Sequence, residues 1–200
     1  MSAADAPITL DRILTAAEDV IGRFGPVKAT VVDVARGLGV SHAAVYRHVA
    51  TKAELRDLVV GRWIEKTMPP LRAIIAQPGP APVRLRAFYD ALFAMKRQKA
   101  FGDPELFMAY RTLAAGAESV VAAHVAELIE LTATVIQAGM EQGVFRPADP
   151  VNTSRAVLFA TFRFHHPAHA ADWANPEIEA AREDVWKLVM AGLCVEGVVE

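Results

Sequence analysis

The stretch Thr30-Val-Val-Asp-Val-Ala-Arg-Gly-Leu-Gly-Val-Ser-His-Ala-Ala-Val-Tyr-Arg-His-Val49 holds two helix starts and a helix stop within twenty residues. Such punctuation leaves room only for short helices joined by a tight turn. Thr30 is an N-cap, with Asp33 three residues on as in a capping box. Val31, Val34, Ala35 and Leu38 follow at i, i+3, i+4 and i+7, one face of a helix. Gly39 stops it, because glycine takes the left-handed conformation without steric cost. Ser41 is the next N-cap. This is helix-turn-helix geometry, in which the second helix enters the DNA major groove.

The flanks extend the pattern. Upstream, Ile13, Ala17, Val20, Ile21 and Phe24 form an inward stripe closed by Gly25 and Pro26. Downstream, Thr51-Lys-Ala-Glu54 is a second capping box, opening a helix with Leu55, Leu58 and Val59 inward. Ile13-Leu-Thr-Ala-Ala17, Phe24-Gly25, Thr30 with Asp33-Val-Ala35, Gly39-Val-Ser41, Val45-Tyr-Arg-His48 and Lys52-Ala-Glu-Leu55 together resemble the N-terminal domain of TetR-type transcriptional regulators. The resemblance covers about the first third of the chain. It implies an all-α protein of about nine helices. Residues 1–66 are then a helix-turn-helix DNA-binding domain, and 67–200 a helical ligand-binding and dimerisation domain.

Composition agrees. Apolar residues make up 53% and charged residues 22%, so the chain is neither disordered nor fibrous. No apolar run approaches the roughly 20 residues needed to span a bilayer, and Met1–Pro7 show no export signal. The single cysteine, Cys194, reads as a small buried residue. A bacterial cytoplasmic protein, at the nucleoid when on its operator, is expected. The net charge of −2 hides a local excess of base. Between Arg23 and Lys52 the cations are Arg23, Lys28, Arg36, Arg47 and Lys52 against the one acid Asp33, which makes the segment net +4. Phosphate binding needs such a patch, since each neutralised phosphate releases counterions.

The DNA-facing set is Thr30, Ser41, His42, Ala43, Ala44, Tyr46, Arg47, His48 and Lys52. His42 is the one long polar side chain at the start of the second helix and the candidate base reader. Ala43 and Ala44 offer methyl contact, as to a thymine methyl. The resemblance gives Tyr46, Arg47, His48 and Lys52 positions that contact or flank the DNA backbone, Tyr46 and Lys52 being the closest matches. Tyr46 packed against the first helix and His48 capping the helix end are the structural alternatives. Val49 stands where the family often has phenylalanine, as an apolar anchor.

Beyond Met68-Pro-Pro70 and the turn Gln77-Pro-Gly-Pro-Ala-Pro82, helices are expected over Val83 to about Lys99, from Pro104, over about Glu118 to Gln142, after Asp149-Pro150, and after Asn175-Pro176-Glu177. Gly139-Met-Glu-Gln-Gly-Val-Phe145 resembles a stretch that recurs in the family before the last two helices. Phe88, Phe93, Phe107, Met108, Tyr110, Phe159 and Phe162, with Met95, Phe101 and Phe164, are either packed core or the lining of a ligand cavity. The family resemblance favours a cavity for a small hydrophobic or aromatic effector. Arg111, His124, Arg155 and Arg163 could anchor it, although such residues usually lie at a surface or interface. His165-His-Pro-Ala-His169 is the one metal-like cluster. Pro167 breaks its helical spacing, so a loop is expected there and no metal or cofactor. A homodimer is expected through Ala156 and Arg163 on the eighth helix and Ala181, Val185, Leu188 and Gly192 on the ninth, unless that stripe packs on its own domain. No Gly-rich phosphate loop, Gly-x-Ser-x-Gly elbow or metal-binding helix pair argues for an enzyme. The reading is a regulator on a palindromic double-stranded operator. The alternatives are a DNA-binding regulator without a ligand or a helical interaction module.

Overall fold

A computed structural model describes residues 7–197. Residues 1–6, which fall in the stretch read as lacking an export signal, and residues 198–200 lie outside the described residues. Among the described residues the regular elements are helices: α1 (Leu10–Phe24), α2 (Val31–Leu38), α3 (His42–Tyr46), α4 (Lys52–Glu65), α5 (Met68–Ala76), α6 (Ala81–Gly102), α7 (Pro104–Ala114), α8 (Glu118–Glu141), α9 (Pro150–Ala160), α10 (Phe162–His165), a 3-10 helix (Pro167–Ala174) and α11 (Ile178–Leu193). The expected nine lacked α5, α10 and the 3-10 helix. Met68-Pro-Pro70 does not interrupt the chain; its prolines sit in the first turn of α5, where no backbone N–H is needed.

The chain divides into two compact units, one made of residues up to Lys66 with Asp103–Ala122, the other of Thr67–Gly102 with Ala123–Glu200. In the first unit α1, α2, α3 and α4 bury Ile13, Ala17, Val20, Ile21, Val34, Val45, Val59 and Trp63 in one core. Phe24 departs from the expected stripe and is 53% exposed, because Gly25 ends α1 beside it. The helix α7, capped by the Asp103 carboxylate on the Leu106 N–H at 2.9 Å, packs on α1 and α4. Its Tyr110 ring lies 5.7 Å from that of Trp63. This segment belongs to the expected C-terminal domain by sequence, and its apolar face packs in the first unit.

In the second unit α6 buries a stripe of Leu85, Phe88, Tyr89, Leu92, Phe93, Lys96 and Ala100. The helix α8 buries Leu128, Ile129, Thr132, Val135 and Ile136. An 18-residue window of α8 reaches a mean hydropathy of 1.6, so by length and composition it could cross a membrane, contrary to the expectation of no such run. Its inward residues are those of a core helix, and Glu127 pairs with Arg72 at 2.6 Å. Gly139 is required where α8 ends: a Cβ there would meet the Phe145 ring at 2.1 Å. The chain folds back there, with the Val144 and Phe145 N–H groups both donating to the Gly139 carbonyl at 3.0 Å. The expected loop at His165–His169 is mostly 3-10 helix, fixed by the fully buried Trp173, whose Nε1 donates to the Arg163 carbonyl at 2.8 Å. The last helix opens at Ile178, and Asn175 accepts from the Glu177 N–H at 2.9 Å rather than capping it.

Candidate nucleic-acid interface

The turn between α2 and α3 is a Schellman motif. Gly39 has φ 69° and ψ 30°, its N–H donates to the Arg36 carbonyl at 3.1 Å, and the Val40 N–H donates to the Ala35 carbonyl at 3.0 Å. Ser41 then caps α3, its hydroxyl accepting from the Ala44 N–H at 3.2 Å. Three residues therefore separate the two helices, and local hydrogen bonds shape the turn between them.

The recognition segment has two sides. Val45 and Val49 are at most 1% exposed and hold it to the core, as expected for the anchor at Val49. Ala44 joins them at 6% exposed. Its expected methyl contact with DNA is corrected, because α3 turns that methyl inward beside Val45. Ser41, His42, Ala43, Tyr46, Arg47 and His48 face solvent. His42 and Tyr46, one turn apart, meet edge to face with centroids 6.4 Å apart. Tyr46 is 44% exposed, which leaves its ring outside the core.

Thr30 caps α2 as expected. Its hydroxyl donates to Asp33 at 2.6 Å and accepts the Asp33 N–H at 3.2 Å, so the α2 cap uses both functions. The Thr30 hydroxyl, and then the nearby Arg36 guanidinium, holds the Asp33 carboxyl below the usual carboxylate range. Arg36 pairs with Asp33 at 2.9 Å, while Lys28, Arg47 and Lys52 make no ion pair among the described residues. Lys52 is the first residue of α4, behind the Thr51 cap on the Glu54 N–H at 3.0 Å. A cation in a first turn has the wrong sign for the helix dipole, so helix stability does not explain it.

The other expected sites separate. Phe107, Met108 and Tyr110 belong to the first unit, Met108 being 54% exposed. Phe88 and Phe93 are buried in the second unit, Phe162 is half-buried, and Phe159 is 51% exposed against Phe162 at 4.9 Å. His124 is enclosed at 8% exposed, against its expected surface position; Arg155 bonds Asn152 and Arg163 pairs with Asp172 at 3.1 Å. His165 bonds Thr161, whereas His166 stacks on Phe162 at 5.0 Å and meets the His169 ring edge to face at 6.3 Å. On α11, Leu188 is 75% exposed and a Cβ at Gly192 would meet nothing within 4 Å, while Ala181 and Val185 are half-buried. On α9, Ala156 is exposed, as is Arg163 beyond it.

Two family models match the chain: residues 13–59 match bacterial regulatory proteins of the tetR family, and 81–186 a tetracyclin repressor-like C-terminal domain. No curated protein matches the chain closely enough to count as a relative. Among solved structures it is similar to SmeT, the repressor of the Stenotrophomonas maltophilia multidrug efflux pump SmeDEF, at 17% identity and TM-score 0.67 over 100% of this chain and 96% of that one. A SmeT–triclosan complex gives 16% identity and TM-score 0.65, covering 95% and 93% of the two chains. Bacillus subtilis FadR in complex with stearoyl-CoA gives 15% and 0.63, covering 92% and 99%. With more than half of its length matched by the C-terminal model and its helix-turn-helix by the N-terminal one, the chain belongs to the TetR family and is a DNA-binding transcriptional regulator, not an enzyme.

Proposed function

We propose that this protein is a repressor that binds a palindromic operator as a homodimer and leaves it when a small hydrophobic or aromatic molecule binds the second unit. The observation that carries the DNA part is the split of the recognition segment, with Val45 and Val49 buried and His42, Tyr46, Arg47 and His48 in solvent next to Lys52. His42 reads a base edge and Ala43 offers its methyl; Tyr46, Arg47, His48 and Lys52 hold phosphates. One such segment reads a half-site, and two-fold symmetry supplies the other.

The exposed α11 stripe supports the dimer. Trp186 and Met190 on the opposite face are buried, so the unit's own core already has its share of α11 and leaves Leu188 outside. The triclosan and stearoyl-CoA of the structural neighbours support an apolar effector. The effector must favour a state that does not fit DNA, because equal affinity for both states shifts nothing. The backbone passes between the units at Lys66–Thr67, Gly102–Asp103 and Ala122–Ala123, which gives a change in the second unit three covalent routes to the first.

The test is anisotropy on labelled DNA flanking the coding sequence, with excess non-specific competitor. Saturable binding to one imperfect palindrome is expected, lost on adding an effector found by thermal-shift screening. Affinity no higher than for competitor DNA would refute the regulator's operator; retention of DNA at saturating ligand would refute release.

A further inference from the structure

A groove of about 690 Å³ runs along α4 in the first unit, with Leu14 of α1 and Val120 of α8 completing its lining. Glu54, Leu58, Gly61 and Glu65 face it from α4 at i, i+4, i+7 and i+11, which is one side of a helix. Leu14, Leu58, Gly61 and Val120 are its apolar part. Its charged part is the carboxylates of Glu54, Asp57 and Glu65 against the single guanidinium of Arg62. Arg62 is already held by α1, where it pairs with Asp11 at 3.4 Å and Glu18 at 3.5 Å. Asp57 pairs with Arg56 at 2.7 Å, whereas Glu54 accepts the Ala50 N–H at 2.6 Å and keeps its negative charge. The groove is therefore acidic, although it lies in the unit that carries the basic helix-turn-helix. A surface of that sign repels phosphate, so DNA is not its occupant.

Packing does not call for Gly61. Glycine inside a helix is less stable than alanine. No close approach demands it here, since a Cβ would meet Val120 Cγ1 at 3.7 Å, an ordinary contact. Its effect is to keep open the stretch of α4 between Leu58 and Glu65. The volume lies within the range of about 300–1,000 Å³ that small molecules occupy. A standard protein interface engages about 20–30 residues a side, whereas ten described residues line this groove.

We propose that the groove binds a small amphipathic organic cation, an amine on an aromatic or alkyl body. The apolar body lies on Leu14, Leu58 and Val120 over Gly61, and the ammonium meets the carboxylates of Glu65 and Glu54. The site is in the first unit and does not depend on the effector reading for the second. Such an occupant bears directly on α4, whose first residue is Lys52. The carboxylates of Glu54 and Glu65 are exposed, so salt weakens the charged contact and leaves the apolar one.

Two matched probe pairs test this on the full chain, 1-naphthylmethylamine against 1-naphthalenemethanol and decylamine against decanol. Affinity is read by calorimetry and location by amide hydrogen exchange. At low salt at least one amine is expected to bind about fivefold more tightly than its alcohol, with the preference shrinking as salt rises. Bound amine should slow exchange in α4. Gly61→Leu fills the groove and should weaken the amine about tenfold or more. Glu65→Lys, a change at an exposed position, should bring the amine to the level of its alcohol, and it decides alone if Gly61→Leu does not fold. Amines and alcohols binding alike would overturn the proposal, as would an amine preference that survives in either folded variant. Slowed exchange confined to the second unit would move the ligand to the effector site and overturn the groove. Failure of both amines to bind would overturn the groove and leave the effector reading as it stands.

Discussion

His42, His48 and Lys52 stand in solvent at one end of the chain, whereas Lys96, His124 and His165 are enclosed in the other unit. The residue types are the same and the energetics are opposite. Water satisfies the exposed set, so those side chains add little cost, and salt screens their charge. The enclosed set has lost its water and gained few partners, so it destabilises the folded protein. Surface base is therefore informative only as a pattern, while a single interior lysine is informative alone.

Charge at a third kind of place, the exposed apolar stripe of α11, should give the largest effect. Leu188→Glu is expected to yield folded monomers whose operator affinity falls by ~10³-fold to the non-specific level. Sedimentation and anisotropy check this, and a variant that fails to fold would place the stripe in the core.

Acid should next divide the two units. The enclosed histidines take protons only near pH 3 when folded, against 6.5 when unfolded. Between those values the unfolded chain alone binds the protons, so stability falls as pH is lowered through that window. The slope is at most ~1.4 kcal/mol per pH unit for each histidine. Lys96 and Lys99 act on His124, and Lys96, His166 and His124 on His165, all deepening the effect. Urea titrations at neutral and mildly acid pH should show it, and the double variant His124→Gln, His165→Gln should flatten the profile. An unchanged profile in that variant would mean that other groups dominate.

Smaller effects are expected at the exposed face. His42→Ala should cost about 1–3 kcal/mol against the preferred operator and relax one base pair per half-site. Unaltered preference across operator variants would remove His42 as a reader. Lys52→Ala should weaken all DNA sequences alike and make the salt slope shallower by about one. A sequence-dependent loss would instead make Lys52 a base contact.

The contrast also explains what can be read from the sequence. Thr30, Gly39, Ser41 and Thr51 act through hydrogen bonds within three to five residues, so the helix-turn-helix is legible in the order of residues alone. The packing of α7 on the first unit is not legible, since nothing within its sequence says which distant face Tyr110 and Leu113 will cover. Lys96 lies in the basic run Lys96-Arg-Gln-Lys99, and residue type alone does not mark it as interior. Its spacing is the signal, seven residues after Tyr89 and four after Leu92 on one helical face. His124 reads as surface for the same reason of residue type, although α8 offers Leu128 and Leu131 at helical spacing from it.

The split along α3 has an evolutionary consequence. Between His42 and Val49, Ala44, Val45 and Val49 are buried in the fold, and the remaining positions are exposed. If the exposed positions read DNA as proposed, operator preference and foldability are inherited through separate letters of the same short word. A lineage could be retargeted to a new promoter by drift at His42, Ala43, Tyr46, Arg47 or His48 without passing through unfolded intermediates. After gene duplication, such a scaffold lets two copies part company on DNA while both remain intact proteins.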